Sequence, residues 1–576
     1  MVFKPPAWVP QLPFEPPDSV PIFDFLNDER YGRQPLETSL PSFTCGITGK
    51  KVSPLEVRDR AECLARALSS RMQWEPNTET PWDKVVCIFS VNTVDYIPVA
   101  HAVHRLSGIV TTANAVFSAT ELEVQLRSSG AKAIVTCVSL LSTAQKAAQA
   151  LDIPDRNIFI MDVAGDSTNN STQSIETLVA EGSSLPVLPP LKWSRGQGAR
   201  QVAFLCYSSG TSGLPKGVMI SHLNVISNIM QLTTLESVGR KQFGVATQVE
   251  LGLLPFSHIY GLVFITHMAL YRGDEVIVLP RFEFDPFLKA VERFRIEQLL
   301  LVPPIIIQLT RNISKVLKYD LSSVRCVYTA AAPLGRETAN TLRAAFPRWN
   351  LTQGYGLTET SPVVSSTGEN DMLFGSAGCL LPGTLAKIID SDGNEVQEHG
   401  KPGELLVQSP AVTLGYLNNE KATAETFIVN DSGRWLRTGD EVCIKETPSG
   451  DEHLVILDRI KELIKVKGHQ VAPAELESHL LAHPAVDDCA VVQVADDSAG
   501  ELPKAFVVKS ALVQSESDEK VSQEIHKHFK DHKAHYKWLK GGIEFIEAIP
   551  KSPSGKILRR LLRDREKQGL ARGSKL

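Results

Sequence analysis

Residues 202–222 read VAFLCYSSGTSGLPKGVMISH, and this stretch guides the interpretation of the whole chain. The apolar run VAFLCY predicts a buried strand, and a helix is expected to begin near His222. Between them, Tyr207 to Val218 is rich in Ser, Thr and Gly, which leave backbone N–H groups free to face an anion. Lys216 adds a positive charge. The segment therefore predicts a polyphosphate site in a loop between a strand and a helix.

Two other interpretations of this loop are weaker. It lacks the GxxxxGK[ST] spacing of the P-loop of nucleoside triphosphatases, because Gly217 follows Lys216. A flexible Gly/Ser linker is the second alternative. The position directly after a strand, together with the lysine, favours the phosphate site.

The rest of the chain predicts an α/β fold. Apolar, β-branched runs such as VVCIFSV, AIVTCVSLL and EVIVLP alternate with helix-like segments, which favours layers with largely parallel strands. The composition and pattern of the sequence change near Asp458. A lysine-rich stretch there is followed by a predicted short amphipathic helix (PAELESHLLAHP) and a predicted strand (VDDCAVVQVAD). We predict a large N-terminal domain of layered sheets and helices, residues 1–458, and a small mobile α+β C-terminal domain, residues 459–576.

Composition limits the classes of function. The 576 residues carry a formal net charge of −5, with 43% apolar and 22% charged residues, which is typical of a globular protein. This balance gives no electrostatic reason to expect nucleic acid as a partner. The nine cysteines form no CxxC pair and have no histidine cluster near them in sequence. Neither a disulfide framework nor a zinc site is therefore expected.

One apolar run is long enough to suggest a membrane span. Leu251 to Tyr271 contains no Asp, Glu, Lys or Arg. It nevertheless includes Pro255, His258 and His267, and we interpret it as a buried strand, a loop and a core helix. No membrane span is expected, and the Pro-rich N-terminus lacks the apolar core of a secretory signal.

The last three residues, Ser574-Lys575-Leu576, match an address that is read by the peroxisomal import receptor. A chance match is the alternative. The polar segment before them is expected to be accessible, so the sequence predicts a peroxisomal location and the import receptor as a partner.

Five further motifs follow the phosphate loop: AAAPLG (330–335), QGYGLTET (353–360), WLRTGD (435–440), DRIKELIK (458–465) and IPKSPSGKI (549–557). In this order, and over nearly the whole chain, they resemble the motifs of the adenylate-forming superfamily. That superfamily includes acyl-CoA synthetases, 4-coumarate:CoA ligases, luciferases and the adenylation domains of peptide synthetases. The closest resemblance is to fungal peroxisomal aryl-acid ligases of the phenylacetyl-CoA ligase and 4-coumarate:CoA ligase-like type. One departure is Ala330, which stands where the family has Gly.

The resemblance implies a nucleotide site. Tyr355 is implied to stack near adenine, Thr358 to bind a phosphate, Glu359 to hold Mg²⁺, and Asp440 to accept hydrogen bonds from the ribose hydroxyls. The residue types agree, because glycines permit close approach and a carboxylate suits a hard cation. The residues implied to contact the nucleotide or CoA are Ser208, Ser209, Gly210, Thr211, Ser212, Gly213, Lys216, Gln353, Gly354, Tyr355, Gly356, Thr358, Asp440, Arg459, Lys467, Gly468 and Gln470.

The C-terminal motifs are implied to supply two sets of contacts. Lys556, between Pro and Gly residues that form a projecting turn, resembles the catalytic lysine of adenylation. Lys461 resembles the hinge, about which the C-terminal domain rotates between the two half-reactions. Lys465, with Lys467, Gly468 and Gln470, is then implied to reach the adenylate or CoA. From charge alone, a solvated basic face would be preferred.

LPFSHIYG (254–261) resembles the aromatic gate of the family. His258 is implied to stand between the substrate carboxylate and the CoA tunnel, although a single His in an apolar run is more often a core residue. The residues implied to line the acid pocket are Tyr260, Ala331, Gly354, Pro362 and Val363.

Together these features imply an ATP-dependent, AMP-forming acid:CoA ligase that uses ATP, Mg²⁺ and coenzyme A and passes through an acyl-adenylate. Aryl acids such as phenylacetate or a cinnamate are the leading substrates, followed by medium-chain fatty acids. Three alternatives stay open: a luciferase-like oxygenase of an adenylated substrate, an adenylating enzyme that loads a carrier protein, and a non-catalytic nucleotide-binding protein.

Overall fold

The computed structural model describes residues 2–165, 173–208, 215–332, 334–467, 469–496, 498–552 and 555–573, with the backbone alone for 568–573. The described residues form four β-sheets with helices packed against them, which confirms the predicted α/β class. Residues before about 458 form one large core and a smaller one on the other face of the first sheet, and residues 464–562 have separate cores of their own.

The first sheet carries the predicted phosphate loop. Its central strands are parallel and fully buried, as expected for apolar runs covered on both faces. In spatial order its strands are Gly415–Tyr416, Lys216–Ser221, Val202–Ser208, Ile109–Ala113, Val85–Phe89, Ala133–Cys137 and Ile158–Met161. The strands predicted at VAFLCY, VVCIFSV and AIVTCVSLL are therefore confirmed.

The second sheet is also parallel at its centre, with antiparallel strands at its two ends. In spatial order its strands are Cys379–Leu380, Val363–Ser366, Asn350–Gly356, Cys326–Thr329, Gln298–Leu301, Val249–Gly252, Glu275–Val278, Phe43–Cys45 and Lys51–Val52. The motif QGYGLTET begins inside this sheet, on Asn350–Gly356.

The third sheet is antiparallel and carries the motif WLRTGD. Its strands are Leu385–Ile389, Gly403–Gln408, Gly433–Glu446, Phe427–Asn430 and Glu452–Arg459. The fourth sheet belongs to the C-terminal region and comprises His469–Val471, Ile464–Val466, Gly500–Lys509, Val486–Asp496 and Ile543–Phe545. The predicted strand VDDCAVVQVAD is confirmed there.

Helices cover the sheets. The helix predicted near His222 begins there, because Ser221 and Asn224 form a capping box, and it is buried along most of its length. The α-helices are Ile22–Asn27, Pro54–Met72, Tyr96–Arg105, Ala119–Ser129, Leu141–Gln149, Ile175–Ser184, Gln197–Arg200, His222–Gln242, Met268–Arg272, Phe284–Phe294, Pro303–Arg311, Ile313–Val316, Arg336–Ala345, Glu420–Thr426, Pro473–Leu481, Asp518–His532 and Arg559–Gly573.

The apolar run Leu251 to Tyr271 follows the predicted interpretation. It contains the end of the strand Val249–Gly252, a turn, and the π-helix Tyr260–His267, which continues into the helix Met268–Arg272. Within the described residues, no helix combines the length and the apolar character needed to cross a membrane.

Candidate active site

The predicted phosphate loop leaves the first sheet at Ser208 and returns to it at Lys216. These two residues are Cα partners in the antiparallel ladder, so the two ends of the loop lie side by side. Ser209, Gly210, Thr211, Ser212 and Gly213 lie outside the described residues. The described part therefore fixes where the loop is anchored.

A tyrosine connects the loop to the carboxylate predicted to hold Mg²⁺. Lys216 Nζ lies 4.7 Å from the centre of the Tyr416 ring. The Tyr416 hydroxyl donates a hydrogen bond to Glu359 Oε1 at 2.9 Å. Glu359 lies in the short 3-10 helix Thr358–Thr360, whose position is fixed by a bond from Thr413 N to the Glu359 carbonyl at 3.0 Å. The carboxylate thus lies beside the lysine at the end of the loop, and its oxygens are ligands of the kind that Mg²⁺ prefers.

Asp440, the predicted ribose acceptor, is buried between a tyrosine and an arginine. Tyr355 Oη donates to Asp440 Oδ2 at 2.5 Å, and Arg459 Nε lies 3.4 Å from Asp440 Oδ1. Asp440 and Arg459 are Cα partners on neighbouring strands of the third sheet, which fixes their proximity. Burial raises the pKa of Asp440, and the positive charge of Arg459 opposes that rise. Three residues from three separate motifs therefore meet at one carboxylate.

The two glycines of QGYG are required by packing inside the protein. A Cβ on Gly354 would lie 1.9 Å from Tyr328 Oη, and a Cβ on Gly356 would lie 1.8 Å from the Pro362 carbonyl oxygen. The neighbouring Gln353 is half-buried, and its backbone N–H donates to Thr367 Oγ1 at 2.8 Å. The sequence predicted glycines that let a ligand approach; the close approach observed here is made by the second sheet itself.

Lys556, from the far end of the chain, lies near these charged residues. It lies on a turn in which Ser552 N donates to the Lys556 carbonyl at 2.8 Å and Lys556 N donates to Ser552 Oγ at 3.1 Å. Burial, reinforced by Arg459, lowers the pKa of Lys556 to about 8, and the carboxylates of Glu462, Asp440 and Glu359 oppose this shift. The lysine is thus within electrostatic range of both predicted nucleotide carboxylates.

The other C-terminal residues of the prediction lie on a separate hairpin. Lys465 and Gln470 are Cα partners on the strands Ile464–Val466 and His469–Val471, and both are exposed. Lys461 and Lys467 are exposed as well, and Gly468 lies outside the described residues. Within the described part of the chain, no hydrogen bond or ion pair connects these side chains to Glu359 or Asp440.

The predicted acid-binding residues divide into buried and exposed groups. His258 is half-buried; burial, with the charge of Lys556 in addition, lowers its pKa to about 4, so the imidazole is neutral near pH 7. Tyr260, Pro362 and Val363 are buried, whereas Ala331 is exposed and has a φ of 72°. Val363 is held by the helix His222–Gln242, because Asn228 Nδ2 donates to the Val363 carbonyl at 2.8 Å.

Comparisons with known proteins agree with this arrangement. The family described as AMP-binding enzyme matches residues 33–417, and the family described as AMP-binding enzyme C-terminal domain matches residues 475–556. The chain belongs to the AMP-binding enzymes. It is 42% identical over 571 residues to acyl-CoA ligase AFT1-1 of Alternaria alternata, with 98% of this chain and 97% of that protein covered.

Two further similarities extend this result. The AMP-binding enzyme is 40% identical over 563 residues to acyl-CoA ligase gloD of Glarea lozoyensis, covering 97% of this chain and 98% of that protein. Its fold matches that of the anthranilate CoA ligase AuaEII with a TM-score of 0.79 and 23% identity, over 96% of this chain and 99% of the other. The chain is accordingly an AMP-forming acid:CoA ligase, for which ATP and CoA are substrates.

Three residues of the AMP-binding enzyme were missed by sequence reasoning. Tyr416 connects Lys216 to Glu359. Tyr328 fills the space behind Gly354. Glu462 lies near Lys556 and pairs with Arg559 Nη1 at 2.9 Å. Glu462 stands inside the quoted motif DRIKELIK, so its position could have been noticed. Tyr416 and Tyr328 carry no sequence signal, because each acts through a contact with a distant segment.

Proposed function

We propose that this ligase activates a small aryl acid in the peroxisome, using Lys556 for the first half-reaction and the Lys465 hairpin for the second. The observation that carries the proposal is that Lys556 lies within electrostatic range of both Glu359 and Asp440, although it stands more than a hundred positions beyond them in the sequence.

In the first half-reaction the substrate carboxylate attacks the α-phosphorus of ATP, and pyrophosphate leaves. Negative charge is redistributed over the phosphoryl oxygens, so positioning and electrostatic stabilisation dominate the catalysis. The Lys556 ammonium offsets that charge from one side. Asp440 accepts hydrogen bonds from the ribose, and Arg459 holds Asp440 in place. Glu359 would hold Mg²⁺, which neutralises phosphate charge when it is bound.

In the second half-reaction the CoA thiol attacks the acyl carbonyl and AMP leaves. The residues proposed for this step are exposed and make no hydrogen bond or ion pair with Glu359 or Asp440 in the described structure: Lys465, Lys467 and Gln470. They therefore require a rotation of the C-terminal region to act. We place the hinge at Lys461, which is exposed and lies two residues after the end of the strand Glu452–Arg459. A hinge needs only a few residues that absorb a backbone change.

An aromatic cluster next to the gate supports an aryl acid. The Phe264 and Tyr328 rings are 4.6 Å apart, and the Tyr260 ring lies 5.2 Å from Phe264. Aromatic pairs with such spacing are typical surfaces for stacked or edge-on contact with a flat ring. Phenylacetate and cinnamates therefore precede medium-chain fatty acids in the proposal.

The peroxisomal location rests on Ser574, Lys575 and Leu576, which lie outside the described residues. A fluorescent fusion that keeps these residues at its C-terminus should be imported into peroxisomes. The same fusion without the tripeptide should remain outside them, and equal import of both forms would refute the address.

The decisive test is a panel of acids with the purified enzyme. Pyrophosphate release is measured with ATP and Mg²⁺, followed by thioester formation after CoA is added. We expect an aryl acid to give both products. Consumption of oxygen by the adenylated acid would favour the oxygenase alternative, and transfer to a carrier protein without transfer to CoA would favour the carrier-loading alternative. If no carboxylic acid yields AMP, the proposed function is wrong.

A further inference from the structure

A cluster of histidines in the C-terminal region lies outside the active site. His479 belongs to the last turn of the helix Pro473–Leu481, and His528 and His532 belong to the last turns of the helix Asp518–His532. One ring nitrogen from each of the three lies within 4.8 Å of the others. Because His528 and His532 are four residues apart, their side chains occupy the same face of the helix.

The ring nitrogens are poorly satisfied by the protein. His479 Nε2 and His528 Nε2 are buried and have no hydrogen-bond partner among the described residues. His532 Nδ1 lies 2.8 Å from the His528 carbonyl oxygen, so it donates there and leaves Nε2 as a lone-pair donor. Buried polar atoms normally find partners, and those without one in the protein are open to water, an ion or another ligand.

We propose that His479, His528 and His532 form a binding site for a divalent transition-metal ion such as Zn²⁺, with a water molecule at the remaining position. Three imidazoles with an open fourth position are a common zinc ligand set. The expectation from the sequence that no zinc site exists considered only the neighbourhood of the cysteines, and this site uses none.

The electrostatic setting suits a cation. All three side chains stand near helix C-termini, where the partial negative charge of the backbone favours a positive ion. The nearby Lys533 ammonium is offset by Glu475, whose Oε1 lies 2.9 Å from it.

A small rotation of two rings would complete the geometry. The His479 and His528 rings are stacked, with centroids 4.2 Å apart and planes inclined by 12°. Zinc–nitrogen bonds of about 2.0–2.1 Å place tetrahedral ligand atoms about 3.4 Å apart. The terminal torsion of histidine is broad, so the rings can turn toward a common point. His483 is not a ligand, because its Nδ1 accepts from Ala485 N at 3.2 Å.

The ion would fasten two helices of the C-terminal region to each other. The first of them also touches the N-terminal region, since a Cβ on Gly335 would lie 2.7 Å from Ser478 Oγ. We therefore expect bound Zn²⁺ to raise the thermal unfolding midpoint of the enzyme by mass action.

The test uses full-length enzyme without a polyhistidine tag, stripped with a chelator and titrated with Zn²⁺ in the absence of ATP. Titration calorimetry should show that the wild type binds one more Zn²⁺ ion per chain than the double variant His479→Gln/His528→Gln. The single variant His532→Ala, which changes an exposed side chain, should weaken binding at least roughly tenfold, because one of three ligands is removed. Substituting Co²⁺ should give a visible absorption band that both variants lose.

His526→Ala provides the matched control, because His526 lies on the same helix outside the cluster and should leave binding unchanged. Circular dichroism checks that every variant is folded, and the exposed His532 keeps the test valid if the double variant is not. Equal Zn²⁺ stoichiometry and affinity in the wild type and the His532→Ala variant would overturn the proposal. So would an equal loss in the His526→Ala control.

Discussion

The two sides of the active-site cleft are held in different ways. On the N-terminal side, the key carboxylates are fixed by partly buried hydrogen bonds within that region: Tyr416 donates to Glu359 at 2.9 Å and Tyr355 donates to Asp440 at 2.5 Å. On the C-terminal side, Lys556 is presented on a single turn. That turn touches the opposite side near Gly555, where a Cβ would lie 3.2 Å from Val302 Cγ2.

Glu359 and Asp440 form the prebuilt side of the site, because the N-terminal region holds them by itself. Lys556 is the delivered charge, because the C-terminal region supplies it. Asp440 is held by the third sheet and Glu359 by Tyr416, so we expect both carboxylates to keep their positions in the proposed rotation of the C-terminal region. The lysine depends on contacts between the two regions, including the bonds from Arg311 to the Val486 carbonyl at 2.6 Å and to Asp487 Oδ1 at 2.8 Å. Changes on the two sides should therefore have different kinetic effects.

The largest effect is expected for Lys556→Ala. Removing a charge that acts on the developing phosphoryl charge should lower the rate of adenylation by about 100- to 1,000-fold. Thioester formation from a supplied acyl-adenylate should fall by less than about tenfold, because Lys556 is proposed to act only in the first step. Pyrophosphate release and CoA thioester formation, measured separately, provide the comparison.

Lys465→Ala is the matched control for that experiment. It removes an exposed lysine of the same region, and it should impair thioester formation while adenylation is retained. Equal losses of both half-reactions in the Lys556→Ala variant would contradict the separation of the two sides.

The second effect concerns the prebuilt side. Asp440→Asn removes a buried charge and leaves Arg459 without its partner at 3.4 Å. We expect the KM for ATP to rise by about 10- to 100-fold, consistent with about 1.5–3 kcal/mol for a hydrogen bond to a charged group. Both half-reactions should weaken, because AMP and ATP share the ribose.

Tyr355→Phe is the graded control, since it removes only the hydroxyl that donates to Asp440. Its loss should be smaller than that of Asp440→Asn. A larger loss in Tyr355→Phe would show that the tyrosine contributes more than the orientation of the carboxylate.

The third effect is a dependence of the adenylation rate on pH, which arises from the Lys556 ammonium. The pKa of Lys556 is lowered to about 8 by burial and by Arg459, so the ammonium is present below that pH and lost above it. The kcat/KM for adenylation should therefore fall by up to tenfold per pH unit as the pH rises through about 8. In Lys556→Arg the cation persists, and any remaining activity should lack this decline. An identical decline in that variant would assign it to another group.

The sequence predicted the parts of the site that depend on local order. The strand at VAFLCY and the helix that begins at His222 follow from the apolar run and the segment after it. The family resemblance implies that Asp440 and Arg459 both contact the nucleotide, and the structure adds that they are partners on neighbouring strands. Tyr416 could not be predicted, because it lies 200 positions after Lys216 and reaches it only through the folded first sheet. The acid pocket could not be predicted for the same reason, since its residues come from distant segments.

The glycines show a second limit of sequence reasoning. The sequence predicts that Gly354 and Gly356 let a ligand approach the backbone. The neighbours that would collide with a side chain are Tyr328 and Pro362. A glycine in the sequence indicates that another atom lies close to the backbone at that position. Which atom it is depends on how the folded chain packs around the second sheet.

The smallest effect should come from the contact between the two sides. Arg311→Ala removes the bonds to Val486 and Asp487, which are partly exposed, and such pairs contribute about 0.2–1 kcal/mol. If these bonds form only in the arrangement proposed for adenylation, that half-reaction should fall by no more than roughly fivefold, whereas thioester formation from a supplied acyl-adenylate should be unchanged or slightly faster. Arg295→Ala, which breaks the exposed pair with Asp320 within the N-terminal region, should leave both rates unchanged. A loss of thioester formation in Arg311→Ala would mean that the contact persists through both steps, and that the lysine is held in the cleft and not delivered to it.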